Sequence, residues 1–178
     1  MKEDSKYSIN FIGLSEGKHE FSYQIAKDFL EDYPETEIKD LDFDVKVIME
    51  KTSRHLGFEF HIEGAAMVQC DRCLDNFSID LSFDKELYVI FGDETSDLTD
   101  IDDRMILSRK ENEIDLSKHL YDYINLQIPI QNIHPNNEKG ESLCNIEMLE
   151  KIEKYMGSEE SPSNQVDPRW DKLKSLYN

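Results

Sequence analysis

Alternation of apolar and polar residues through the middle of the chain constrains the fold more than any other sequence feature. The period is two residues, which is typical of strands that bury one face. The alternation recurs in four runs: Phe43–Met49, Leu56–Ile62, Phe77–Phe83 and Leu87–Phe91. Polar residues between the first two runs predict a hairpin turn that pairs them. The runs together predict a mostly antiparallel sheet.

Weaker patterns on both sides of these runs predict further elements. Residues 7–14 alternate and end near two glycines, which predicts a first strand. Residues 22–33 carry apolar side chains at three- and four-residue spacing, which predicts a short amphipathic helix. Asp115 can cap a second helix that ends at Pro129, and residues 146–156 predict a third. We therefore expect an α+β fold with a mostly antiparallel, twisted or barrel-like sheet of about five to seven strands, covered by two or three helices.

The chain of 178 residues is long enough for one compact domain with an appendage. We expect residues 1–156 to form a single α+β domain and residues 157–166 to form a polar linker. Residues 167–178 predict a C-terminal helix, because an Asp-Pro pair stands where an N-cap and a first helical residue would be. Residues 92–103 are acidic and predict a solvated loop.

The charge of the chain limits its partners. Lys and Arg number 20 against 39 Asp and Glu, so the formal net charge is −19. Such a charge repels phosphate backbones, which disfavours direct binding to naked RNA, and it favours basic partners. No apolar run has the length of a signal peptide core or a membrane span. We expect a cytoplasmic protein with no membrane association and no small-molecule substrate.

Three cysteines and one histidine form a candidate metal site. Cys70 and Cys73 make a CxxC motif in a connection between two predicted strands, and His134 and Cys144 follow in a polar segment. Three thiolates and one imidazole would suit zinc, which binds Cys and His in tetrahedral sites. A thioredoxin-like motif would instead stand at a helix N-terminus. Zinc ligation and a plain structural role for the thiols both remain open, and no other cofactor is predicted.

Enzyme motifs are missing from the sequence. No P-loop, dinucleotide fingerprint, HExxH or GxSxG motif occurs, and the other four histidines are scattered without an obvious common partner. A non-enzymatic role is therefore predicted. Two alternatives remain, namely a metal- or thiol-dependent enzyme centred on the CxxC motif and a structural zinc module unrelated to RNA.

The C-terminal segment contains a candidate partner-binding site formed by Arg169, Trp170 and Leu173. Apolar residues of this segment share one helical face, and basic residues accompany them. This face could pack on the domain, or it could be offered to a groove on a partner.

The order of four segments resembles the YceD family of bacterial large ribosomal RNA subunit accumulation proteins. The segments are the motif Cys70–Leu74, the stretch Glu113–Leu116, the run Leu126–Ile130 and the terminal Asp167–Trp170 with Leu173. The resemblance implies a small, acidic, cytoplasmic protein without catalytic activity that is tied to the processing or accumulation of large-subunit ribosomal RNA. Many members carry a cysteine-rich cluster after the proline-containing run, where this chain has His134 and Cys144.

These observations lead to one expected function. We expect a non-enzymatic factor in large ribosomal subunit biogenesis that promotes accumulation or processing of 23S ribosomal RNA. The charge favours action through a basic ribosomal protein or a pre-ribosomal large-subunit particle.

Overall fold

The computed structural model describes residues 6–92 and 104–156. Its strands in chain order are β1 (Ser8–Asn10), β2 (Gly17–Ile25), β3 (Asp40–Lys51), β4 (His55–Gln69), β5 (Asn76–Phe91), β6 (Arg104–Leu107) and β7 (Glu113–Asp115). The helices are a 3₁₀ helix (Lys27–Asp32), α1 (Ser117–Gln127) and α2 (Ile146–Tyr155). No helix within these two stretches is long and apolar enough to cross a membrane.

Five strands form one sheet in the order β2-β3-β4-β5-β6. Neighbours are antiparallel except β5 and β6, which are parallel. The predicted hairpin is confirmed, since Val45 lies opposite Ile62 and Val47 opposite Phe60. A second sheet consists of β1 and β7. The predicted α+β class is confirmed, and the large sheet is open rather than closed into a barrel.

Most apolar residues of the alternating runs face one side of the large sheet, and Ile48, Tyr88 and Ile90 face the other. Phe43, Val47, Phe58 and Phe60 are each at most 1 % exposed. This inner face is covered by the small sheet and by α1, which contribute a further set of buried residues, including Ile9, Ile114, Leu116, Leu120 and Ile124. Burial of these side chains supplies most of the driving force for folding.

Helix α1 forms where its sequence predicts it. The carboxylate of Asp115 accepts a hydrogen bond from the backbone N–H of Ser117 at 2.9 Å, which satisfies one of the free donors at the helix start. The helix ends at Gln127, and Ile128 is extended before Pro129. Proline disfavours helical backbone in the residue that precedes it, so the end of α1 is encoded locally.

The helix predicted over residues 22–33 is wrong. Residues up to Ile25 belong to β2, and only Lys27–Asp32 are helical, as a 3₁₀ helix. Tyr23 lies opposite Val45, and Ile25 lies opposite Phe43. The aromatic and apolar residues of this stretch satisfy period two as well as helical spacing, and pairing with β3 decides between them. The predicted first strand is also shorter than expected, since β1 has three residues.

The hairpin of β4 and β5 carries the CxxC motif at its tip. Val68 pairs with Phe77 and Gln69 pairs with Asn76, and residues 70–75 connect the strands. The motif therefore lies in a strand-to-strand connection, as predicted. Helix α2 packs Met148 and Leu149 against this tip. The predicted acidic loop beyond Gly92, the linker 157–166 and the terminal helix 167–178 lie outside the described residues.

Candidate metal centre

The connection 70–75 folds into a tight knuckle. The backbone N–H of Leu74 donates to the carbonyl of Cys70 at 2.9 Å, and the N–H of Cys70 donates to the carbonyl of Asp75 at 2.9 Å. Leu74 has φ of +66°, a left-handed conformation that reverses the chain directly after the motif. This reversal aims both cysteine side chains inward, where Cys70 is fully buried and Cys73 is 1 % exposed.

The second half of the site comes from the segment between α1 and α2. Cys144 immediately precedes Asn145, whose side chain accepts the N–H of Glu147 and so caps α2. The ring of His134 packs on Phe77 of β5, with centroids 4.5 Å apart. The hairpin tip therefore fixes the imidazole, and the start of α2 fixes the third thiol.

The structure brings the four predicted ligands together. Their ligand atoms all lie within 4.8 Å of one another. The sulfurs of Cys70 and Cys144 are 3.8 Å apart, and Nδ1 of His134 is 3.4 Å from the sulfur of Cys73 and 3.8 Å from that of Cys144. The sulfurs of Cys70 and Cys144 are too distant for a disulfide, whose bond is about 2.05 Å long.

The three separations of 3.4 to 3.8 Å are close to the edges of a zinc tetrahedron. Zinc–sulfur bonds of about 2.3 Å and zinc–nitrogen bonds of about 2.0 Å give sulfur–sulfur edges of about 3.8 Å and sulfur–nitrogen edges of about 3.5 Å. Three thiols and one imidazole also form a donor set that favours zinc over harder cations. The four side chains could therefore hold one metal ion, with no position left open on it.

The electrostatics of the cluster prepare it for a cation. Burial opposes ionisation of Cys70, but N–H groups of Cys73 and His134 point at its sulfur, and together these effects lower the pKa of Cys70 to about 6. Burial raises the pKa of Cys73, and the neighbouring sulfurs raise it further. The N–H of Asn145 lowers this pKa, but the raising effects outweigh it. One thiolate thus forms readily and discourages the next, and a bound cation would stabilise all of them.

Two contacts that the sequence analysis missed hold the halves together. The N–H of Asp71 donates to the carbonyl of Asn132, and the N–H of Asn132 donates to the carboxylate of Asp71, both at 2.7 Å. The side-chain amide of Asn145 donates to the carboxylate of Asp75 at 3.1 Å. In the sequence only Asp71 and Asp75, inside and beside the CxxC motif, could have indicated these contacts, since nothing marks Asn132.

The predicted partner-binding residues Arg169, Trp170 and Leu173 lie outside the described residues. The fold and the cluster together define an α+β protein with an open sheet and a Cys₃His set, with buried cysteines and a half-buried histidine, at the tip of the hairpin formed by β4 and β5.

Comparison with known families identifies the chain further. The family model for YceD, the large ribosomal RNA subunit accumulation protein, matches residues 58–177. This match covers more than half of the chain, so the protein belongs to the YceD family, as the resemblance predicted. The matched region includes all four residues of the cluster. No curated protein and no solved structure gives a significant match.

Proposed function

We propose that this protein is a non-enzymatic factor that promotes accumulation or processing of 23S ribosomal RNA by binding a basic ribosomal protein or a pre-ribosomal large-subunit particle. Membership of the YceD family supports a role in large-subunit ribosomal RNA accumulation. The observation that carries the route is the outer face of the large sheet, opposite the core. Its exposed carboxylates are Glu20, Asp42, Asp44, Glu50, Glu59, Glu63, Asp80, Asp84 and Glu86.

The cross-strand register concentrates these charges. Asp44 lies directly opposite Glu63, and Glu59 lies directly opposite Glu86. Like charges in such pairs destabilise a sheet, so the arrangement has a cost that a cationic partner would relieve. Against nine carboxylates, this face carries two lysines, and one of them, Lys46, is paired with Glu20 at 2.9 Å.

The outer face is also shaped to receive a chain. A depression of about 470 Å³ lies across β2 to β5 and is lined by Asp44, His61, Glu63 and Asp84 among others. In this depression a flexible basic segment, rich in Lys and Arg, would meet the carboxylates of Asp44, Glu63 and Asp84, and Lys46 also lines it. Charge complementarity of this kind mainly raises the association rate and weakens as salt screens it.

One pair of variants tests this route. Asp42→Asn, Asp44→Asn, Glu63→Gln and Asp80→Asn together remove four charges from the outer face, and Glu16→Gln, Glu31→Gln, Glu35→Gln and Glu138→Gln remove four exposed charges elsewhere. We expect the first variant to lose salt-sensitive retention of large-subunit proteins from native lysate and the second to keep it. Equal retention by both variants would reject the outer face as the binding surface.

The role in ribosomal RNA is tested separately in cells. Depletion should lower mature large-subunit ribosomal RNA or accumulate its precursor, while small-subunit RNA stays largely unchanged. Normal precursor levels and normal subunit profiles across growth temperatures would instead favour a structural zinc module without a connection to RNA.

For the cluster, we propose one structural zinc ion held by Cys70, Cys73, His134 and Cys144. Protein purified without chelator should contain about one zinc per chain, because a complete set of four ligands binds the ion directly. A closed set supports a structural site, since catalytic zinc keeps one position for water or substrate. If the protein were an enzyme centred on the CxxC motif, it would turn over a substrate, and Cys70→Ser would abolish that turnover. We expect no turnover.

The partner contact predicted for Arg169, Trp170 and Leu173 stays a prediction. If Arg169→Ala has unchanged stability and still retains large-subunit proteins, the result would count against a partner contact at Arg169. Trp170 and Leu173 enter the next inference.

A further inference from the structure

Helix α2 has an apolar stripe that is only partly covered within the described residues. Its apolar positions recur at helical spacing: Met148, Leu149, Ile152, Tyr155 and the capping residue Met156. The first two are half-buried against the cysteine cluster. Tyr155 and Met156 are 81 % and 72 % exposed. The stripe is therefore covered at the start of α2 and open at its end.

The chain itself continues from this open end with a second apolar stripe. Trp170, Leu173 and Leu176 recur at three-residue spacing after the predicted linker 157–166. A coil of ten residues has a mean end-to-end distance of about 17 Å. The apolar positions of α2 from Met148 to Met156 extend over only about 12 Å. The linker therefore reaches every position of the stripe.

Tethering favours this occupant over a separate molecule, and charge does not oppose it. The polar side of α2 carries three glutamates and two lysines, all exposed, and the terminal segment carries three basic residues and two aspartates. A short flexible tether gives an effective concentration in the millimolar range, which a free partner rarely reaches. The region matched by the family model runs from residue 58 through residue 177, so it includes both stripes.

We propose that residues 167–178 dock on α2, with Trp170 and Leu173 covering Ile152, Tyr155 and Met156. The docked segment extends the small apolar cluster around the cysteines along the length of α2. Docking is a property of the free chain, so it does not depend on the role in ribosomal RNA. A partner that takes Trp170 and Leu173 has to displace them from α2.

Trp170 is the only tryptophan in the chain, so its fluorescence reports this contact directly. The full-length protein should show blue-shifted emission and weak quenching by acrylamide, compared with the same protein unfolded in guanidinium. The double variant Tyr155→Ser/Met156→Ser should shift both signals toward the unfolded values. The control Leu126→Ser/Ile130→Ser changes two exposed apolar residues outside α2 and should leave both signals unchanged.

A second readout protects the test against misfolding of a variant. Trp170→Ala should raise hydrogen exchange of the α2 amides after Leu149 and leave exchange in β3 unchanged. Three results would overturn the proposal: wild-type emission that already matches the unfolded chain, equal shifts in both double variants, or emission that changes on dilution. The last result would assign the stripe to a second copy of the chain.

Discussion

The two ends of the hairpin formed by β4 and β5 are stabilised in different ways. At one end Phe58 and Phe60 are buried in an apolar core of 23 residues. At the other end, within the described residues, the buried cluster consists of three cysteines with a few half-buried apolar neighbours. An apolar core of that size can hold a sheet by burial alone, whereas three thiols cannot. Burial alone therefore accounts for the sheet end, whereas the tip also depends on the hydrogen bonds of Asp71 and Asp75 and, if the proposed zinc is bound, on its ligation.

Removal of the metal should give the largest effect, and only at the cluster end. Structural zinc contributes about 10–16 kcal/mol of apparent binding free energy in small zinc domains. If the cluster holds zinc as proposed, Cys73→Ser or chelation should abolish metal binding and raise hydrogen exchange in residues 70–75 and 130–150. Exchange in β3 should stay slow, and chelator should have no further effect on Cys73→Ser. Loss of protection throughout the sheet would contradict the separation of the two ends.

Truncation in the sheet core should give the opposite pattern. Phe60→Ala should lower the free energy of unfolding by about 3–5 kcal/mol, because it leaves a cavity in a packed interior. Zinc content should not change. The control Tyr88→Ala removes a side chain that is 47 % exposed and should change stability by about 0.5 kcal/mol or less. Urea unfolding and elemental analysis of both variants check the prediction, and a fall in metal content for Phe60→Ala would argue that the ends are coupled.

A smaller change should affect the contact between the halves of the cluster. Asp71→Ala removes the carboxylate that accepts the N–H of Asn132, which should cost about 1 kcal/mol at the cluster end. Hydrogen exchange at Asn132 should rise, and global unfolding should change little. Asp80→Ala, on the outer face of β5, serves as the matched control and should leave exchange at Asn132 unchanged.

The smallest predicted effect is on the pH dependence of stability, and it concerns the core end of the molecule. Burial lowers the pKa of His119, and its Nδ1 is buried without a hydrogen-bond partner among the described residues. The unfolded chain then binds a proton near pH of about 6.5 that the folded chain does not. The contribution of His119 to stability is therefore fully present above that pH and is lost as the pH falls from there through the lowered pKa of the folded state. His119→Asn should flatten the difference in stability between mildly acidic and neutral pH, and an unchanged pH dependence would contradict the prediction.

Much of the fold could be predicted because its signals are local. The four alternating runs became the central strands β3, β4 and β5, and Asp115 and Pro129 marked the start and end of α1. Residues 22–33 were misassigned because their apolar spacing fits both a helix and a strand. Pairing of Tyr23 with Val45 settled that choice, and no local pattern encodes it.

Residue types and their order were enough to indicate which side chains could ligate a metal and which family the chain resembles. That Cys70 and Cys144, 74 positions apart, lie 3.8 Å from each other follows only from the folded structure. It also decided that acidic residues from four strands share one outer face, because strand register sets which residues become neighbours. Both outcomes depend on pairing between distant segments, which the contacts of the folded chain specify and local preference does not.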